Sequence, residues 1–210
     1  MKTRIFWVLM LLTMGMYGQE ITLTPADKQQ IKQQLNAYFT AVSNKDWNTV
    51  LDKMPPELFR LNKREEILKI FENAENDYQS YETHQPTNLR IFDQAYRKDG
   101  KRYALVGYTN NVTWIFRPKP KETQGSFQGR MDYTLFQLQK QFGRENVTAG
   151  TRTGMIHIRI PKYLLVITDE KSGRTYLIDF PKDMRRQTDL QTIVDPEVIA
   201  FFNNIIFHHT

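Results

Sequence analysis

Two periods divide the chain. From residue 24 to about 75 apolar positions recur every three or four residues, and from residue 87 onward they recur mostly every second one. The first stretch opens on Thr24-Pro25-Ala26-Asp27. Threonine can cap a helix, proline fits the first helical position, and aspartate suits the positive helix end. Ile31, Leu35, Tyr38, Phe39 and Val42 then form one apolar stripe, with Lys28, Gln29, Lys32, Gln33 and Asn36 on the polar side. A second, short helix is predicted from Asp46 to Lys53, burying Trp47, Val50 and Leu51 and ending before Pro55 and Pro56. A third follows "PELFRL", with Asn62 and Glu65 at capping spacing and Ile67, Leu68, Phe71 and Ala74 as its apolar face.

The alternating stretch begins with "NLRIFDQAYR" and "RYALVGYTNNVTWIF", two strands joined at Asp99-Gly100, a strong hairpin signal. "RPKPKETQGSFQG" reads as a loop. In "MDYTLFQLQKQFG", Leu135, Leu138 and Phe142 favour a helix over 131–142 against a weaker alternation of Tyr133, Leu135 and Gln137. "GMIHIRIPKYLLVITDEKSGRTYLIDF", residues 154–180, reads as a three-strand meander whose first arm sets His157 and Arg159 opposite Ile156, Ile158 and Ile160. Asp195 and Pro196 open a last helix burying Ile199, Phe202 and Ile206.

Ahead of all this, "MKTRIFWVLMLLTMGMYGQE" places Lys2 and Arg4 before an apolar run from Ile5 to Leu12 and then small or neutral residues. That is the order of a secretory signal peptide over residues 1–18, with cleavage expected before Gln19. The run is too short to span a bilayer, so a soluble mature chain, 19–210, is expected, periplasmic or extracellular. The chain has no cysteine, so it contains neither a disulfide nor a cysteine-linked lipid. Its length suits one domain with one substantial core. The net charge is +6; without Lys2 and Arg4 the balance is 27 basic to 23 acidic residues. The basic clusters at Arg97 to Arg102, Arg117 to Lys121 and Lys182 to Arg186 fall in expected turns, which argues against nucleic-acid binding.

Helices first and an antiparallel sheet after them define an α+β class. The run "DWNTVLDKMPPELFRLNKREEILKIFENA", the strands around "KRYALVGYTNN", and the segments "LQKQFGRENV" and "DPEVI" together resemble the exported, uncharacterised nuclear-transport-factor-two-like (SnoaL-like, cystatin-like) proteins of Bacteroidetes bacteria. The resemblance covers nearly all of the mature chain. It implies N-terminal helices packed on a strongly curved antiparallel sheet that leaves a cone-shaped pocket, catalytic in some members and a binding site in others. Where that exported group usually has an aromatic residue before "PPELF", this chain has Met54, so no role for that aromatic carries over.

Two constellations are candidates for chemistry. His157, Arg159 and Asp179 would converge if the outer strand faces coincide, enough for general acid–base work; otherwise they form a wet sheet face. Tyr38, Phe39, Trp47, Tyr103 or Tyr108, and Trp114 could line a pocket for a small apolar or aromatic ligand, or belong to the core. The ligand-binding candidates are thus Tyr38, Trp47, Tyr108, Trp114, His157 and Arg159. No cofactor or metal is expected: His84 and His157 have no carboxylate at ligand spacing, and His208 and His209 end the chain. Cysteine nucleophiles, serine elbows and phosphate loops are missing from the sequence. Asn111-Val112-Thr113 and Asn146-Val147-Thr148 match a glycosylation pattern that carries no meaning in a bacterial protein. Three readings follow. The first is a non-enzymatic domain binding a small ligand or an envelope protein, with a homodimer compatible. The others are an isomerase or dehydratase using His157 or Asp179 as base with Tyr38 as hydrogen-bond donor, and an accessory subunit of an envelope assembly.

Overall fold

The computed structural model describes residues 18–150, 154–182, 187 and 190–209. All of the proposed leader, residues 1–18, except Gly18, and most of the basic cluster after Lys182 lie outside the described residues. Among the described residues, six α-helices and a seven-strand antiparallel sheet that does not close make an α+β architecture.

The first helix, α1 (Pro25–Ser43), starts as its residues dictate. Thr24 Oγ1 accepts from the Asp27 N–H while the Asp27 carboxylate accepts from the Thr24 N–H, a reciprocal capping box. Its stripe buries Ile31, Leu35, Phe39 and Ala41, while Tyr38 and Val42 lie half-buried at its margin. α2 (Trp47–Asp52) is capped by Asp46. "PELFRL" contains a turn of helix, α3 (Leu58–Leu61). α4 (Arg64–Glu72) follows, preceded by Lys63 rather than by the expected Asn62 cap. None of its apolar residues is fully buried and Ala74 lies beyond its end, so α4 is a peripheral cover.

Two long strands form the centre of the sheet: β4 (Lys101–Phe116) and β6 (Met155–Asp169), antiparallel and in unbroken register from Lys101↔Asp169 to Ile115↔Met155. Each outer edge of this pair carries two shorter strands end to end. Along β4 lie β3 (Thr87–Lys98) and β2 (Gln79–Thr83); along β6 lie β7 (Thr175–Asp179) and β5 (Val147–Ala149). β1 (Gln19–Thr22) flanks β3. The β3–β4 turn uses Asp99 and Gly100, both at positive φ, as a tight hairpin requires.

Three expectations need correction here. Residues 154–180 form two strands, not three, because β6 runs straight through Pro161. Phe180 donates to the Tyr163 carbonyl and Gly150 to that of Met155, so odd-numbered residues of β6 direct their backbone polar groups away from β4. By that parity the Pro161 nitrogen faces the outer edge between β5 and β7, where it leaves no ladder bond unmade. The expected loop at 117–129 is half helix: α5 (Gln124–Phe142) begins early, with Thr123 accepting from the Ser126 N–H. β1 and β2 were not expected at all.

The side-chain period of two splits the sheet into faces. One face carries Ala104, Val106, Leu164 and Val166 against α1, and further along Phe116, Ile156 and Ile158 against α5. The other carries Tyr103, Leu105, Leu165 and Ile167 against α6 (Pro196–His209), which buries Val198, Ile199 and Phe202. On that second face His157 and Arg159 are exposed, while Thr113 beside His157 is buried.

A cleft between the first helix and the sheet

On the α1–α5 face, the apolar rows of β4 and β6 are each interrupted once or twice at the same level. In β6 the row Ile156, Ile158, Ile160, Leu164, Val166 is broken by Lys162, and in β4 the row Ala104, Val106, Val112, Trp114, Phe116 is broken by Tyr108 and Asn110. Register pairs Tyr108 with Lys162 and Asn110 with Ile160, so the polar groups gather between the halves covered by α1 and by α5. A cleft of about 370 Å3 opens there, walled by Tyr38 and Phe39 of α1, Met54, Phe71 of α4, and Asp179 at the end of β7.

The electrostatics of the cleft come from four groups. Lys162 Nζ lies 2.9 Å from Asp179 Oδ2, an ion pair whose carboxylate is largely exposed. Tyr108 is almost wholly buried, and its ring lies 5.1 Å from that of Phe39, which in turn meets Tyr38 edge-on at 5.4 Å. Burial raises both phenol pKa values far above the ordinary tyrosine range, and the negative charge of Asp179 adds to the effect. Both groups are therefore hydrogen-bond donors at any physiological pH. Neither hydroxyl has a hydrogen-bond partner among the described residues. Neither hydroxyl is among the fully buried polar atoms that lack a partner, so both donors open to the cleft.

The other candidates are dispersed. Register sets Asp179 beside Leu164, seven residues along β6 from His157 and on the opposite face, so the two are separated by about 23 Å of strand. The faces do not coincide, so the conditional convergence of His157, Arg159 and Asp179 does not occur. His157 instead joins a polar patch: its Nδ1 is 2.9 Å from Oγ1 of the buried Thr113, which is 2.8 Å from Nε2 of His84. With one proton, the Thr113 hydroxyl can donate to one imidazole only while accepting from the other. Arg159 is exposed beside this pair. Trp47 stacks on Phe71, 5.0 Å away, behind the cleft wall, and Trp114 lies with Phe116 under α5. Tyr103 belongs to the core beneath α6.

Lys162, Asn110 and Thr83 are the polar cleft residues that sequence reading overlooked. For Lys162 the signal was a single charged residue in phase with five aliphatic ones, hidden by the reading of residues 154–180 as three short strands. Met54, the position at which the family resemblance expects an aromatic residue, lines the cleft. Among the described residues no cluster of three or more histidine, cysteine, aspartate or glutamate side chains could hold a metal, and no helix is long and apolar enough to cross a membrane. No protein-family model matches the chain, and no curated protein matches its sequence.

Proposed function

We propose that the chain is an exported binding domain of the nuclear-transport-factor-two-like kind. Its cleft between α1 and the curved sheet would act as the cone-shaped pocket for a small, flat, largely apolar ligand bearing hydrogen-bond acceptors. The observation that carries this reading is the half-buried Tyr38 and the buried Tyr108, whose hydroxyls have no hydrogen-bond partner among the described residues, in a cleft that Phe39, Met54 and Phe71 help to wall. A ligand carbonyl placed between the hydroxyls would satisfy both donors at once. The cleft volume of about 370 Å3 is within the range of small-molecule sites. The Lys162–Asp179 pair supplies a polar anchor. The order of Lys2, Arg4 and the apolar run that follows supports export.

Native mass spectrometry of the protein from its own envelope, followed by titration of whatever small molecule is retained, tests the reading. Tyr38→Phe and Tyr108→Phe should each weaken that ligand about tenfold, the worth of one hydrogen bond of ~1.4 kcal/mol. Unchanged affinity in both variants overturns the assignment. A retained protein in place of a ligand would move the search to surface groups such as Tyr133 and Phe136, which are exposed one helical turn apart on α5. One observation favours the isomerase or dehydratase reading: Asp179 and Tyr38 line the same cleft. That reading keeps Asp179 as its base and loses His157. It requires Asp179→Asn to abolish turnover of the retained compound while leaving its binding intact.

A further inference from the structure

We infer a second binding site, for an amphipathic carboxylate, in a notch on the outer edge of β6. β5 pairs with Ile156 to Ile158 and β7 with Leu164 to Thr168, so residues 159–163 have no strand beside them on that edge. Five residues of extended chain leave a gap of about 17 Å. A hollow of about 530 Å3 occupies it, larger than the cleft under α1, and its walls include Phe142, Ile160, Phe180, Leu190 and Ile193.

An edge gap of this kind would ordinarily invite an extended peptide to pair with the backbone. Pro161 at its centre argues against that occupant. The backbone groups turned outward are those of residues 159, 161 and 163; Pro161 has no N–H, and the Tyr163 carbonyl already accepts from Phe180. Too few ladder bonds remain to hold a strand. What the notch does offer is apolar surface and, besides the mutually paired Lys162 and Asp179 in its wall, the positive charge of Lys182. Lys182 sets its ammonium 5.3 Å from the centre of the Tyr163 ring, at the wall of the hollow, and no carboxylate pairs with it among the described residues. A cation over an aromatic face retains its full charge for an anion. An apolar hollow with an ammonium at its rim that no carboxylate pairs among the described residues fits a ligand with a hydrocarbon or aryl tail and a carboxylate head. The tail would lie along Phe142, Ile160 and Ile193, and the head would meet Lys182.

This inference is independent of the ligand proposed for the cleft. The two hollows share a wall at Leu58, Lys162, Ile178 and Asp179, so the test must separate them. The probe is 11-(dansylamino)undecanoic acid, titrated by fluorescence into the mature protein, with dodecanoate as competitor. Saturable enhancement displaced by dodecanoate is expected. Lys182→Glu, an exposed site that folding should tolerate, should weaken the probe by about tenfold or more, because an attraction becomes a repulsion. Ile193→Trp, which fills the hollow, should abolish binding, while Tyr38→Phe and Tyr108→Phe should leave it unchanged. The site is overturned if the probe does not bind, if Lys182→Glu binds it as tightly as the wild type, or if the tyrosine variants lose it. That last result would assign the probe to the cleft.

Discussion

Glu122 shows how much one side chain can alter a local reading. In the sequence it is a single acid among the basic and proline residues of 117–121. In the fold its carboxylate accepts from Arg130 Nε at 2.8 Å and Nη2 at 2.9 Å, and from the Lys119 N–H at 2.8 Å. The side chain thereby fastens the start of α5 to the strand end before it. The Arg130 hydrogen bond and the backbone donor lower its pKa to about 2. The carboxyl binds its proton more weakly in the fold than in the unfolded chain. Its contribution is therefore complete above about pH 4.5 and disappears as the pH falls toward about 2. Glu122→Gln should lower the urea midpoint at neutral pH, and its difference from the wild type should shrink steadily across that window. A difference independent of pH would mean that Glu122 acts through packing rather than charge.

At the scale of elements, legibility followed how local the determining signal was. α1 was readable because Thr24, Pro25, Asp27 and the stripe from Ile31 to Phe39 act within a few turns. The β3–β4 hairpin was readable because Asp99-Gly100 encodes its own turn. Where a neighbouring strand overrides local preference, the reading failed. Pro118 and Pro120 with two glycines suggested a loop through 129, yet Thr123 starts a helix within it, and Gly125 and Gly129 face open space on that helix. Pro161 reads as a break until the open edge beside it is known. The cleft was half legible for the same reason: Tyr38 and Tyr108 were named from their periods, whereas Lys162 needed the register of β6 against β4. The segment after β7 carries its own non-local determinant. Gln187, 1% exposed, exchanges two amide hydrogen bonds with Asn203 of α6, at 2.9 and 3.0 Å, and donates to the Pro181 carbonyl at 2.7 Å. Asn203→Leu leaves the Gln187 amide buried and short of partners, and should cost about 1–3 kcal/mol in urea unfolding. Adding Gln187→Leu should recover part of that loss, because the cost lies mainly in the stranded group.

Across the whole molecule, the β4–β6 pair makes one unit of everything else. α1 and α6 lie back to back on opposite faces of its one half, and α5 covers one face of the other half. Any helix that detaches exposes side chains from strands that also carry another helix's contacts. The three apolar clusters should therefore unfold together, in a single two-state transition. Trp114 sits in the α5 cluster and Trp47 beside α4, near the α1 side of the sheet, so they report on opposite ends. Variants of the mature chain retaining one tryptophan at a time should give the same denaturant midpoint by fluorescence as by far-ultraviolet circular dichroism. An earlier transition at Trp114 alone would mean that α5 and β5 can open as a separate layer. The hollow at the notch, which Phe142 of α5 helps to wall, would then be a cavity that opens with that layer, while the cleft under α1 would stay closed.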